Sequence, residues 1–123
     1  MKQKVHSVSY LAKAEFEFKN GVYDLVALPS GAEVVKVSLE VVGSPTVGTI
    51  SVGFKDETNK NYFLILDNFE NNNKTALSAK DYTATTNKVI VAEVQKANEA
   101  NEANIKGILR VLYFLPSVIE VEY

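Results

Sequence analysis

Cysteine is absent from this 123-residue chain, which excludes a disulfide framework, thiolate metal sites and cysteine nucleophiles together. Tryptophan is absent as well, so a sugar site would lack its usual flat indole floor. Histidine occurs once, as His6, with no acid beside it in sequence, whereas a zinc site needs several converging ligands. The six glycines stand singly, leaving neither a dinucleotide fingerprint nor a phosphate-cradling loop. No apolar run reaches the roughly 20 residues of a membrane-crossing helix, and Met1 to Ser7 lacks the apolar core of a signal segment, so synthesis and folding in the cytoplasm and no membrane partner are expected. Thirteen basic residues are scattered among fifteen acidic ones, for a net charge of -2. Without a clustered basic surface, nucleic acid is not an expected partner.

What the chain has is alternation. Val8, Tyr10, Ala12, Ala14, Phe16 and Phe18 are apolar at every second position, with Ser7, Ser9, Lys13, Glu15, Glu17 and Lys19 between them. A period of two over that length describes a strand with one buried and one wet face. Asn20-Gly21 then supplies a tight reverse turn. Val22 to Leu28 reads as a second strand with Tyr23, Leu25 and Ala27 on one face, stopped by Pro29 and Gly31. Val34 to Val42 follows, with Val35, Val37, Leu39 and Val41 as its stripe, and then Thr46 to Phe54 with Ile50, Val52 and Phe54. Tyr62 to Leu66 is apolar on both faces, which predicts a central strand covered on two sides or a strand at a subunit contact. Asp67 to Ser78 reads as an Asn-rich loop around Phe69. Tyr82 to Thr85, Val89 to Val94, Ile108 to Leu115 and Val118 to Tyr123 complete the set.

The pattern predicts an all-β fold, an antiparallel β-sandwich or jelly-roll-like single domain over 1–123, with terminal arms at 1–10 and 116–123. Its core is expected to hold Phe16, Phe18, Leu25, Val37, Leu39, Ile50, Val52, Val91, Leu109 and Val111. Residues 95–106, a near-repeat of Ala-Asn-Glu ending at Gly107, form either a loop or one short helix.

No constellation for chemistry emerges. Asp56-Glu57 with Asn59 and Asn61 resembles a fragment of a calcium loop but lacks the EF-hand spacing. Glu15 with Glu17, and Glu120 with Glu122, stand about 7 Å apart on one strand face, the ordinary wet side of a sheet. No catalytic, cofactor or metal residues are assigned. The apolar termini are the anomaly, because chain ends fray unless tied down. Val8, Tyr10, Phe69, Val118, Ile119, Val121 and Tyr123 are therefore the candidate partner-interface residues. The terminal strands either pair within the fold or cross to a neighbour.

Three segments, Tyr23 to Val35 with its Leu28-Pro29-Ser30-Gly31-Ala32 turn, Thr49 to Gly53, and Gly107 to Tyr113, resemble small structural proteins of tailed bacteriophages. The resemblance implies a non-enzymatic virion protein without cofactors. Its first reading is a decoration (cement) protein on the capsid exterior, a homo-oligomer (trimer or dimer) bound to the major capsid protein. Its second is a host-recognition, tail or head-fibre domain contacting surface glycans or receptor through the loops at Asn71-Asn72-Asn73 and 95–106.

Overall fold

The computed structural model describes residues 2–6, 8–67, 69, 74–98, 104–115 and 118–122, the terminal strands by their backbone. Eleven strands run in chain order: β1 Lys2–His6, β2 Ser9–Glu17, β3 Gly21–Leu28, β4 Glu33–Val42, β5 Thr49–Phe54, β6 Leu64–Leu66, β7 Thr75–Ser78, β8 Tyr82–Thr83, β9 Lys88–Gln95, β10 Lys106–Phe114 and β11 Val118–Glu122. Every pairing is antiparallel. One sheet has the order β2-β10-β4-β7 with β8 also on β4, the other the order β3-β9-β5-β6, and β1 with β11 forms a separate two-stranded ribbon. No helix occurs among the described residues, and 96–98 and 104–105 are turn or coil.

The sandwich follows from the alternating stripes. Phe16 and Phe18 on β2, Val37, Leu39 and Val41 on β4, Ile50, Val52 and Phe54 on β5, and Leu109 and Val111 on β10 are all buried in one cluster. Phe54 closes one end of that core, with the rings of Tyr82, Tyr62 and Phe63 at 4.5, 5.2 and 5.3 Å. At the other end Phe69 meets Phe18 edge-on at 5.7 Å.

The alternation fails where a strand gains a residue. On β3 the register to β9 slips between Asp24 and Val26, so Leu25 is only partly buried while Val26 and Leu28 take the core positions and Ala27 is exposed. A bulge inverts the inside and outside of every residue beyond it. A second slip beside β10 passes over Val35 and places Val34 inside. Val91 is fully buried, but on the face of β9 opposite Ile90, Ala92 and Val94. It stands opposite Gly53, against which the Lys60–Tyr62 backbone lies so closely that a Cβ would come within 2.7–2.8 Å of it. The chain's own loop thus covers that patch of the four-stranded sheet.

Two further expectations are corrected. Tyr62 to Leu66 is not a central strand: β6 is a three-residue edge, with Ile65 exposed and Tyr62 and Phe63 bent over Phe54. Its apolar residues on both faces belong to the end plug as much as to the sheet. The supposed loop from Asp67 to Ser78 ends in a strand, β7, on the edge of the larger sheet.

Candidate partner interface

The end of the sandwich that carries the chain termini is built by β2 and β10. Their pairing runs from Glu17 with Lys106 to Ser9 with Phe114. The Leu115 amide then donates to the Val8 carbonyl at 2.9 Å, which carries the two chains onward together. Beyond Ser7, Pro116 and Ser117 they pair again as the ribbon, Val5 with Ile119, Gln3 with Val121, Lys4 with Glu120 and Lys2 with Glu122. Among the described residues the ribbon strands pair with neither sandwich sheet.

At the root of the ribbon, on the inner face, Tyr10 stacks on its cross-strand partner Tyr113 with centroids 6.0 Å apart and planes inclined by 26°. Tyr10 nevertheless remains 49% exposed. On the outer face Leu11 stands opposite Leu112, and Leu112 opposite Lys36. One register step along lies the row Lys13, Arg110, Ser38 and Leu77. Arg110 is satisfied by Glu40, its guanidinium donating to Oε1 at 3.0 Å. Leu11, Lys36, Ser38, Arg110 and Leu112 line a shallow open hollow there. Leu11 and Leu77 are the most exposed large apolar side chains among the described residues, at 62% and 64%. Together these residues form a half-apolar, basic-edged surface running from the sheet to the ribbon.

The candidate residues of the sequence reading fall into three places. Val8, Tyr10, Val118, Ile119 and Val121 gather at the ribbon and its root. Phe69 sits at the opposite end of the sandwich, packed on Phe18. Tyr123, like Asn71 to Asn73 and the middle of the Ala-Asn-Glu loop, lies outside the described residues. The sequence reading missed Leu11, Lys36, Leu77 and Leu112. A signal existed for two of them: Leu11 and Leu112 are apolar residues at wet-face positions of their own alternation. Leu77 was hidden inside a segment read as loop.

Among the described residues no three His, Cys, Asp or Glu side chains come together to hold a metal, and the only buried polar side chain is that of Ser78. The shortest ion pair among the described residues is elsewhere, between Lys88 and Asp56. The Lys88 ammonium donates to Asp56 Oδ2 at 2.6 Å, a hydrogen bond that lowers the Asp56 carboxyl and raises the Lys88 ammonium.

Comparison with solved structures gives a consistent result. The chain is 71% identical, over all of both chains and with a TM-score of 0.90, to a chain of the acidic stable capsid structure of Helicobacter pylori bacteriophage KHP30. It also superposes on chains of the cyanophage Pam1 capsid asymmetric unit, with a TM-score of 0.68 at 20% identity over 88% of this chain and 85% of that one. For the capsid of Ralstonia phage GP4 the TM-score is 0.64 at 16% identity, over 90% and 86% of the two chains. The last two are likenesses of fold. No protein-family model matches the chain, and no curated protein does.

Proposed function

This chain belongs to the family of the KHP30 capsid chain and is a structural component of a bacteriophage capsid, and from that premise we propose that it is a decoration protein bound to the outside of the shell. The full-length 71% identity to a capsid chain carries the capsid part of this reading. The surface agrees with it, since the described residues offer a separate two-stranded ribbon and a half-apolar sheet face.

In this reading the ribbon and its root, with Val8, Tyr10, Leu11, Val118, Ile119 and Val121, contact the major capsid protein. A two-stranded ribbon alone is marginal in water, and a shell surface supplies the cover it lacks. Several weak contacts to adjacent shell subunits, linked through one rigid sandwich, raise overall binding by roughly 10²–10⁴-fold without any single strong patch. Bridging neighbouring subunits opposes the outward pressure of the packaged genome. A chain of net charge -2 suits the side of the shell away from DNA. The similar chain comes from a capsid described as acidic stable, and none of the described carboxylates of the present chain is buried within it.

The test is co-sedimentation of the purified protein with empty capsids stripped of it. Saturable binding, followed by greater resistance of the shell to heat, is the expected result. Binding to host cells without binding to capsids overturns the decoration role in favour of receptor recognition.

A further inference from the structure

The turn between β2 and β3, at the end of the sandwich away from the ribbon, fastens a segment far along the chain. The Ala97 amide, two residues past β9, donates to Asn20 Oδ1 at 2.9 Å, and Asn20 Nδ2 donates to the Ala97 carbonyl at 3.4 Å. In the same turn the Phe18 amide donates to the Ile105 carbonyl at 3.0 Å. One turn thus holds the chain both where it leaves β9 and where it returns to β10. Beside the Asn20 clasp, Lys96 has φ 59°, a left-handed conformation that such a side chain keeps only where its surroundings enforce it.

The side chain that makes this clasp is also the amide best placed to react with its own backbone. Of all the asparagines, Asn20 alone precedes a glycine. Gly21 has no Cβ to shield its nitrogen from the Asn20 carboxamide carbon, and both residues are exposed. Glycine is what the turn requires there, because Gly21 has φ +154°, an angle at which an L side chain is strained.

We propose that Asn20-Gly21 is a self-modification site whose reaction undoes the clasp on Ala97. The Gly21 nitrogen gives up its proton to hydroxide and attacks Asn20 Cγ. The new C–N bond closes a succinimide ring, and the Cγ–Nδ2 bond breaks as ammonia leaves with a proton taken from water, which regenerates the hydroxide. A second water opens the ring at either carbonyl, giving aspartate or isoaspartate. Both products end in a carboxylate, which has no N–H for the Ala97 carbonyl, and isoaspartate also adds a carbon to the main chain of the turn. The clasp restrains the reaction, because an amide bonded at both its oxygen and its nitrogen to Ala97 cannot swing onto the Gly21 nitrogen. Modification therefore follows local opening of the clasp and makes that opening irreversible.

The test is mass mapping of the whole chain after storage in mildly alkaline buffer. Asn20 should lose ammonia and yield isoaspartate ahead of every other asparagine. With two hydrogen bonds closing the clasp, it should react about tenfold more slowly in the folded chain than in the chain unfolded by urea. Trypsin should cut the Lys96–Ala97 bond about tenfold faster in the modified chain, since the contact that holds this foot is gone. Asn20→Ser, with no amide to lose, should form no isoaspartate at that position, and Asn20→Asp should reproduce the faster cleavage. The stored natural chain supplies the same comparison without any substitution. An Asn20 that stays intact while other asparagines react, or that reacts equally fast folded and unfolded, overturns the proposal. So does a modified chain cut after Lys96 no faster than the parent. None of these outcomes depends on capsid binding, because the turn and the ribbon lie at opposite ends of β2.

Discussion

Gly31 and Gly107 set the tightest single-residue constraints, for different reasons. Gly31 follows Pro29 at φ +90°, where its amide donates to the Ala84 carbonyl and joins the β3–β4 turn to the segment after β8. An L side chain is strained at that angle, so Gly31→Val should cost about 1 kcal/mol or more, read as a melting temperature lower by several degrees. An unchanged melting curve would show that the turn relaxes freely. Gly107 lies opposite Phe16 in the register, and a Cβ there would overlap the Phe16 ring. Gly107→Ala should therefore destabilise by roughly 1–3 kcal/mol through overpacking, and pairing it with Phe16→Leu should recover part of the loss. Additive losses in that double variant would refute the steric account. Gly31 was legible in sequence because Pro-x-Gly is a local turn signal. Gly107 was not: it read as a helix terminator, whereas its cause is a ring about 90 residues away in the chain. Leu25 was misplaced for a related reason, because a bulge is a mismatch between two strands and leaves no mark on the periodicity of one.

Among elements, long alternating strands were legible and short edges were not. β2, β4, β5 and β10 announce themselves by buried stripes that a single-residue slip would turn to solvent. β6 and β7 are three and four residues long, too short for a period to register, and their place is decided by the ends they close. The termini occupy an intermediate position, since their apolar content was visible but their pairing with each other was not. That pairing makes a decisive truncation available. Removal of Val118 to Tyr123 takes away β11 and strands β1, yet touches no hydrogen bond of either sandwich sheet. The truncated chain should melt within about 5 °C of the parent, with its near-ultraviolet aromatic signal retained. Capsid binding should fall by tenfold or more, because even one large apolar side chain buried on the shell is worth roughly 1.5–3 kcal/mol. A folded truncation that still binds capsids normally would remove the ribbon from the interface. A truncation that unfolds would make it part of the fold.

For the molecule as a whole, the distribution of charge predicts how it meets acid. Stability is lost on acidification when carboxylates that are paired or buried in the folded state must take up protons. No described Asp or Glu is buried, and the ion pairs Lys55–Asp24, Lys88–Asp56, Lys106–Glu15 and Arg110–Glu40 all have carboxylates about half exposed or more. Exposed pairs contribute little to stability. Asp56 is the carboxylate held below its ordinary 3.8, chiefly by its hydrogen bond to Lys88. Its contribution is therefore fully present above pH 3.8 and is lost only as pH falls through the lowered value. Lys88 behaves in the opposite sense: raised above 10.5 by the same bond, it contributes fully below that pH and loses its contribution as pH rises through the raised value. Between those limits the pair is intact and the apolar core, which does not titrate, determines the outcome. The melting temperature should thus be nearly flat from pH 8 to pH 4 and decline by only a few degrees toward pH 2. Asp56→Asn should lower the plateau slightly and flatten the acid limb, since the variant has no proton to gain at that position. A steep loss already at pH 5, or an acid limb unchanged in Asp56→Asn, would mean that a different carboxylate controls the fold.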